Sequence, residues 1–486
     1  MNTHRPSRLL SIRLAVMLAL AFDTALQAAP AVLRPLREGT ELFVDEAKIS
    51  RREKLTRTLH AAQKLAQPVI VPDQPWEEGR IYIYGTTYVD PATGTYHMWY
   101  AAPGRMLYAT SPDGLRWTKP ELDGAAWEGR KTNIVFAESY GGVVLVDETE
   151  PDAARRFKAL VAAPIRIGGF SGHYSADGIH WTRYGEDRIL TVGSEIGHVI
   201  RDPATKKYFA YIRPYPPKLL PKTTEQKRLG AVVTSDDFVH WSEMKVVLTP
   251  DAVDDAWVTK PEQRTEFYAM NGFAYGQSYL GVIPLFRITG IHDQMTKEQS
   301  RYDGPMEGQL ITSRDGLSWQ RMKERNPVIP SGPTFDQSIM NVAVAPIIVG
   351  DEVWHYYTGI NTTHGGPMPP KRISVCLAKW RLDGFASLDA GADEGSVETV
   401  TLPATASGAL EVNASAGGGS LAVEVLDANG AVVPGYSARD FVRIDSDSIR
   451  HVAKWRERAS LPSGQPYRLR FMLRQASLYS YTVKRP

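Results

Sequence analysis

The stretch Ser175-Ala-Asp177-Gly178-Ile-His-Trp181 is one copy of a short motif that recurs along this 486-residue chain. Asp followed by Gly between apolar runs predicts a tight hairpin, because Gly accepts a positive φ and the Asp side chain bonds the backbone of the turn. We expect the closing Trp to pack against a neighbouring sheet. Further copies occupy residues 111–117, 235–241 and 313–319, with a degenerate fifth at 380–385.

Two strand-like runs, joined by a turn of their own, precede each copy of the motif, as at 86–89 and 96–101. Four strands per repeat and five repeats predict an all-β chain that folds as a five-bladed β-propeller. We assign residues 29–388 to this domain. Two more strand-like segments, 41–44 and 56–60, come before the first repeat, and we expect one of them to close the last blade.

The composition of the chain changes at about Asp389, where a linker of small, polar residues rich in Gly begins. Beyond it, short strand-like runs alternate with turn clusters. Leu421, Val423 and Val425 alternate with less apolar residues, which is the period of a half-buried strand. Residues 389–486 therefore predict a small C-terminal β-sandwich. We expect it to brace the propeller, with glycan binding as the alternative.

The N-terminus has the order of a secretory signal peptide. Arg5, Arg8 and Arg13 precede the apolar run 14–22, and small residues follow at 25, 28 and 29. A run this short does not span a bilayer as a helix, which needs about 20 residues. We assign residues 1–28 to a signal peptide and expect an exported, periplasmic or extracellular bacterial protein without membrane insertion of the mature chain. An uncleaved anchor is the alternative.

The overall composition is that of an ordinary globular protein, with 43% hydrophobic and 23% charged residues. The formal net charge is +2 and the Lys and Arg residues are scattered, so nucleic acid is not an expected partner. Cys376 is the only cysteine, which excludes an intramolecular disulfide and any site built from several cysteines. It lies in an apolar stretch and is expected to be a buried, unreactive thiol.

The chain resembles the five-bladed propeller glycoside hydrolases of the invertase, levansucrase and arabinanase type, the clan that contains families 32, 43, 62 and 68. It is most similar to bacterial proteins related to the family 32 N-terminal domain. The segments that carry this resemblance are Leu42-Phe-Val-Asp45, Gly85-Thr-Thr-Tyr-Val-Asp90, His97-Met-Trp-Tyr100, Thr312-Ser-Arg-Asp-Gly316, residues 381–388, Leu410-Glu-Val-Asn413 and residues 420–430.

The resemblance implies three carboxylates at the mouth of the central tunnel, acting on a glycosidic bond through one ionised and one protonated group. The family 32 signature Asn-Asp-Pro-Asn-Gly is absent. Asp90 and Asp202 each precede Pro, but both open a short turn, and we interpret them as hairpin residues. The better candidates stand where inner strands begin: Glu78, Glu195, Glu266 and Asp336.

Polar residues beside these acids are candidates for binding sugar hydroxyls: Arg80, His198, Arg213, Asn271 and His364. His198 is a candidate general base, and packing on an inner strand is the competing interpretation. His364 either closes over a sugar or caps a turn. No His, Asp or Glu cluster has the spacing of a catalytic metal site, so we expect no cofactor, with a structural cation in the tunnel left open.

Together these features predict a secreted glycoside hydrolase that acts on a poly- or oligosaccharide substrate. The missing signature acids leave a second hypothesis, a carbohydrate-binding propeller without catalysis, because a fold does not fix a function. A glycoside phosphorylase is a third.

Overall fold

The structure is a computed structural model that describes Met1 and residues 36–139, 141–162, 168–193, 197–214, 227–292, 300–404, 408–456 and 458–484. Strands dominate these residues, and their helical elements are the 3-10 turns Pro75–Glu77 and Ala153–Arg155. The all-β prediction is confirmed. The predicted signal peptide, after Met1, lies outside the described residues. Within the described part of the chain, no helix has the length and apolar character needed to cross a membrane.

Five antiparallel sheets follow one another along residues 87–381, and each corresponds to one predicted repeat. Sheet 1 contains Thr87–Val89, Tyr96–Ala102, Arg105–Ser111 and Ile134–Phe136. Sheet 2 contains Gly142–Val146, Phe157–Ala162, Phe170–Ser175 and Thr182–Arg183. Sheet 3 contains Gly197–Arg201, Tyr208–Ile212, Gly230–Ser235 and Lys245–Leu248.

Sheet 4 contains Arg264–Phe267, Phe273–Tyr275, Ser278–Ile288, Met306–Ser313 and Trp319–Arg321. Sheet 5 contains Ser338–Val342, Ile347–Val349, Glu352–Ile360, Ile373–Arg381 and Gln63–Lys64. Two short ribbons lie beside them, Leu122–Trp127 with Arg130–Thr132 and Gly290–Ile291 with Tyr302–Asp303.

Neighbouring sheets pack face to face, which explains strands such as Phe157–Ala162 that are buried at every position. Each sheet touches the next, and sheet 5 touches sheet 1. The contacting strand pairs are Tyr96–Ala102 with Gly142–Val146, Gly142–Val146 with Gly197–Arg201, Lys245–Leu248 with Trp319–Arg321, Met306–Ser313 with Ser338–Val342, and Ile347–Val349 with Thr87–Val89.

The recurring motif forms the same turn in every sheet that carries it. In sheet 2 the Asp177 carboxylate accepts the backbone N–H groups of Ile179 and His180, each at 2.8 Å, and the Ser175 hydroxyl accepts the N–H of Gly178 at 2.9 Å. Gly178 has φ +76°, the left-handed conformation that the Asp-Gly pair predicts. The hairpin interpretation of the motif is therefore confirmed.

The motif turns also join the sheets to one another. Tyr356 of sheet 5 donates its hydroxyl to the carbonyl of Gly114 in the turn of sheet 1 at 2.7 Å. Trp117, which closes that turn, lies edge-on to the same Tyr356, with ring centroids 5.7 Å apart. The prediction that the motif tryptophan packs against a neighbouring sheet is confirmed at this position.

Asp90 and Asp202 are hairpin residues, as interpreted. The Asp90 carboxylate accepts the N–H of Ala92 at 2.9 Å, and the Asp202 carboxylate accepts the N–H of Thr205 at 2.6 Å. Both contacts are the local side-chain bonds of an Asp that opens a turn.

Two further sheets contain both ends of the described chain. Sheet 6 contains Thr40–Leu42, Leu55–Leu59, Ala386–Ala390, Ala409–Ser415, Asp447–Val452 and Ala476–Lys484. Sheet 7 contains Ile49–Glu53, Gly395–Thr399, Ser420–Asp427 and Tyr467–Arg474. One continuous apolar core lies between them, with Trp455 and Phe471 among its buried side chains.

The prediction that residues 41–44 or 56–60 close the last repeat was wrong. Neither 41–44 nor 56–60 joins sheet 5, because Thr40–Leu42 pairs with Ala476–Lys484 and Leu55–Leu59 pairs with Ala386–Ala390. The N-terminal strand of sheet 5 is instead the two-residue Gln63–Lys64, which pairs with Lys379 and Ala378.

Candidate functional site

A cavity of about 350 Å³ opens where sheets 1, 4 and 5 meet, and two of the predicted binding residues, Arg80 and His364, line it. We call it the mouth cavity. Its polar and aromatic lining consists of Arg80, Tyr82, Tyr84, Tyr268, Ser300, His364 and Lys371, and its remaining lining of Ala101, Ala102, Pro103, Gly104, Met340, Ile360 and Ile373.

The segment 80–84 brings the first aromatic wall to this cavity. Its backbone bonds both neighbours, since the N–H of Tyr82 and the carbonyl of Ala101 lie 2.8 Å apart and the N–H of Ile81 reaches the carbonyl of Ile373 at 3.1 Å. Ile81 and Ile83 are fully buried on one side. Tyr82 and Tyr84 point to the other side and stack with ring centroids 5.4 Å apart and planes within 4°.

His364 also lines the cavity and is held as a neutral imidazole. Its Nδ1 donates to the carbonyl of Tyr302 at 2.9 Å, so its Nε2 is left to accept the hydroxyl of Tyr268 at 3.3 Å. Burial lowers the pKa of His364 to about 3. The imidazole ring of His364 is therefore an uncharged part of the cavity wall, and its orientation is fixed by these two hydrogen bonds.

Two cations line the cavity without a carboxylate partner. Lys371 is buried and donates to the backbone carbonyl of His364. The Nε of Arg80 is buried and has no hydrogen-bond partner. Among the described residues, no Asp or Glu oxygen lies within 4 Å of either cation. Burial, and then the charge of Arg80, lower the pKa of Lys371 to about 8.

Among the predicted acids, Glu266 is the one whose ion-pair partner contacts a residue that lines the mouth cavity. It is buried, and its carboxylate binds Arg228 at 2.5 Å and Arg264 at 2.6 Å. Tyr268, two residues on, lines the cavity, and the Arg228 guanidinium lies 5.3 Å from the centre of its ring. Glu266 is thus linked to the cavity wall through Arg228 without lining the cavity itself.

The other predicted acids occupy different surroundings. Glu78 is exposed and pairs with Arg105 at 3.2 Å. Asp336 is buried and binds Lys64 and the hydroxyl of Tyr357, each at 2.7 Å. Glu195 lies outside the described residues. In the part of the chain that the structure describes, Glu78, Glu266 and Asp336 share no hydrogen-bond partner.

Two predicted binding residues lie in the interior. His198 is fully buried, with Nδ1 2.8 Å from the carbonyl of Met270 and Nε2 3.2 Å from that of Val342. Burial lowers its pKa to about 4. Asn271 donates to the carbonyl of Ala343 at 3.0 Å and accepts the N–H of Val282 at 2.6 Å. Both side chains hydrogen-bond the backbone of segments that belong to different parts of the sheet assembly, which favours the packing interpretation of His198.

Arg213 is buried and contacts Tyr268, a residue of the cavity wall. Its guanidinium donates to the carbonyl of Tyr268 at 3.1 Å and stands over the ring of the same residue, 5.1 Å from its centre. Arg213 therefore supports the cavity wall at Tyr268.

The sequence reasoning missed Tyr82, Tyr84, Tyr268 and Lys371. A signal for the first two exists in the alternation Ile81-Tyr82-Ile83-Tyr84, which is typical of a strand with one buried face. No local pattern distinguishes Tyr268 or Lys371. Among the residues described, no group of three or more His, Cys, Asp or Glu side chains is arranged to hold a metal ion.

No family model matches the chain, and neither does any curated protein. Solved structures that resemble it include an N-acetylgalactosamine deacetylase from F. plautii, with 13% identity, a TM-score of 0.42, and coverage of 74% of this chain and 96% of the other. A family 43 arabinoxylan arabinofuranohydrolase from Bacillus subtilis has 10% identity, a TM-score of 0.38, and coverage of 87% and 100%. The α-L-arabinofuranosidase PaAbf62A from Podospora anserina has 12% identity, a TM-score of 0.42, and coverage of 67% and 98%.

Proposed function

We propose that the protein is a glycoside hydrolase that binds a poly- or oligosaccharide in the mouth cavity. The observation that carries this proposal is that the stacked pair Tyr82 and Tyr84 lines the same cavity as the polar groups of Tyr268 and His364. A sugar ring has apolar C–H faces and a rim of hydroxyl groups, so aromatic walls with a few fixed polar groups are complementary to it.

We assign the chemistry to Glu266 and Glu195. Hydrolysis needs one charged carboxylate and one proton donor on opposite sides of the scissile bond. Two guanidinium groups compensate the charge of Glu266, and because it does not line the cavity itself we give it the charged role of stabiliser. Glu195, three residues before His198 at the start of an inner strand, is our candidate proton donor.

The test is a panel of plant and algal polysaccharides incubated with the purified protein, with released sugars measured. Glu195→Gln and Glu266→Gln should each lower the rate of release by about 100-fold or more, the range expected for losing a catalytic acid or base. Glu262→Gln, an exposed residue near the same strand, should retain the parent rate. Unchanged activity of both site variants on a confirmed substrate would show that the acid assignment is wrong.

A second candidate function is a carbohydrate-binding protein without catalysis. The observation in its favour is that the lining of the mouth cavity, over the described residues, includes no carboxylate. Glycan binding measured by calorimetry, with no product released over long incubation, would establish this function in place of hydrolysis.

We also propose a domain organisation around this site. Sheets 1–5 are the blades of a five-bladed β-propeller, supported by the contact of sheet 5 with sheet 1. Sheets 6 and 7 form a β-sandwich that includes residues 40–59 as well as the C-terminal part of the chain, and we give it the bracing role. Residues 1–28 act as a signal peptide, and N-terminal sequencing of exported protein tests this assignment.

A further inference from the structure

We propose that the mouth cavity recognises an anionic oxygen group, a carboxylate or a sulfate, carried by the saccharide. Arg80 and Lys371 are the residues that bind it. The inference rests on the proposed function, because it names the class of saccharide that the same cavity takes: one that contains uronic acid or sulfated sugar units.

The cations around the cavity differ in whether a carboxylate pairs with them. Three other cations around it have a carboxylate partner, since Arg228 and Arg264 share Glu266, and Arg105 pairs with Glu78. Arg80 and Lys371 are the lining residues that carry charge, and within the described chain neither has a carboxylate within 4 Å. Asp303 acts on Lys371 electrostatically, in the direction that raises the lysine pKa, but forms no ion pair with it. The cavity therefore presents two positive charges without an ion-paired carboxylate.

Lys371 and Arg80 also have hydrogen-bond donors that lack acceptors among the described residues. Lys371 is only 7% exposed, and it donates to one carbonyl, that of His364. An ammonium group has three donors, so a buried lysine with one acceptor is poorly compensated. The buried Nε of Arg80 has no acceptor at all. A carboxylate or sulfate between them would supply the missing acceptors through charge-assisted hydrogen bonds.

The size and lining of the cavity indicate that the anionic group belongs to a larger organic molecule. A volume of about 350 Å³ falls within the range of sites that enclose small organic ligands, which begins at roughly 300 Å³. The walls beside the cations are Tyr82, Tyr84, Met340 and Ile360. Aromatic and apolar walls offer nothing to an inorganic ion, whereas they complement the C–H faces of a sugar that bears the charged group.

The experiment compares matched ligands by isothermal titration calorimetry on the purified full chain. Oligogalacturonate, a sulfated galactan oligosaccharide, their neutral counterparts and inorganic phosphate are titrated separately. We expect at least one acidic oligosaccharide to bind about tenfold or more tightly than its neutral counterpart. Arg80→Gln and Lys371→Met should each remove this preference, because they lower the affinity for the acidic ligand far more than the affinity for its neutral counterpart. Lys245→Met, an exposed lysine of sheet 3, is the control that should retain it.

Each other outcome overturns the inference in an identifiable way. Equal affinity for acidic and neutral oligosaccharides would refute it while leaving the proposed hydrolase intact. Tight phosphate binding that Lys371→Met abolishes, without preference for acidic saccharides, would also refute it and would favour the phosphorylase hypothesis. If no carbohydrate is bound or cleaved, the proposed function itself fails. Thermal melts of both variants establish that they are folded, so that lost binding reflects the site.

Discussion

The phenolic hydroxyl of Tyr211 donates a hydrogen bond to the carbonyl oxygen of Gly316 at 3.0 Å, which joins the second strand of sheet 3 to the motif turn of sheet 4. Trp99 makes the corresponding bond to Gly178 at 2.7 Å, and Tyr356 to Gly114 at 2.7 Å. An aromatic donor of one sheet thus satisfies the turn carbonyl of the next at three of the junctions.

Removing one of these hydroxyls should weaken the junction without changing its packing. Tyr211→Phe and Tyr356→Phe each remove one of two donors to the turn carbonyl, because Trp319 Nε1 also donates to Gly316 at 2.9 Å and Trp117 Nε1 to Gly114 at 3.0 Å. We therefore expect each to lower the free energy of unfolding by the net value of one hydrogen bond, about 0.5–1.5 kcal/mol. Tyr96→Phe is the control, because the described structure gives the Tyr96 hydroxyl no hydrogen bond. Urea unfolding of the three variants measures the difference, and equal stabilities would contradict the junction role.

Phe238 occupies the position that Gly holds in the other motif copies, with φ +69° and a fully buried side chain. A left-handed backbone costs a residue that has a Cβ about 1–2 kcal/mol, and Phe238→Gly removes this cost. It also removes a buried ring, which costs about 3–5 kcal/mol. We expect a net loss of about 2 kcal/mol in the free energy of unfolding by urea denaturation.

Lys206→Gly is the matched control for this change. Lys206 also has a positive φ, of +63°, but its side chain is exposed. This variant should stay within about 1 kcal/mol of the parent protein, as surface substitutions usually do. A stabilised Phe238→Gly variant would show that backbone strain, and not the buried ring, dominates at the motif position.

Three buried histidines predict a loss of stability at mildly acidic pH. Burial lowers the pKa of His198 and His355 to about 4 and that of His364 to about 3. In the unfolded chain these groups titrate near their ordinary value of about 6.5, so the unfolded state binds more protons between these pH values. The stabilisation is complete above about pH 6.5 and is lost as the pH falls towards 4.

Denaturant unfolding at pH 7, 6 and 5 checks this expectation, with the free energy of unfolding falling at each step. His180→Gln provides the control, because hydrogen bonds to Asp177 and then Asp123 raise the pKa of the exposed His180. Its contribution has the opposite sign, so removing it should not reduce the fall. A free energy that stays constant from pH 7 to pH 5 would contradict the neutral, buried state of the three rings.

The affinity for an acidic oligosaccharide should decline between pH 7 and pH 9. Burial and the charge of Arg80 lower the pKa of Lys371 to about 8, with Asp303 acting in the opposite direction, and His364 is neutral throughout this range. One unit above its pKa only about a tenth of a lysine remains charged, so affinity should fall by up to about tenfold. Calorimetry at pH 7, 8 and 9 tests this, and Lys371→Met should show no such dependence.

The sequence predicted the parts of the fold that depend on local signals. Asp-Gly turns and alternating strands identify themselves over a few residues, and the hairpins lie where the motif placed them. The closure strand could not be identified in this way, because Thr40–Leu42 has its partner at Ala476–Lys484 and Gln63–Lys64 is too short to show a pattern. Which strand closes a ring is decided by contacts between distant parts of the chain.

The same limit applies to the candidate site. Arg80 and His364, which we predicted as binding residues, both line the cavity, and their binding role stays a prediction. Asp336 stands at an equivalent point of its repeat, yet its carboxylate binds Lys64, a residue 272 positions away. No repeat pattern reveals such a partner, and for that reason position in the repeat alone does not separate an acid that faces substrate from one that stabilises the fold.

The pairing of Thr40–Leu42 with Ala476–Lys484 has a mechanical consequence. Thr40 faces Thr482 and Leu42 faces Ser480, so the two chain ends leave the sheet on the same side. Tension applied between Thr40 and Lys484 peels these hydrogen bonds apart one after another instead of shearing them together. These bonds would yield at low force, but the load also reaches sheet 4 directly, because the N–H of Gln277 bonds the carbonyl of Thr40 at 2.8 Å and Arg314 pairs with Glu41 and Asp45.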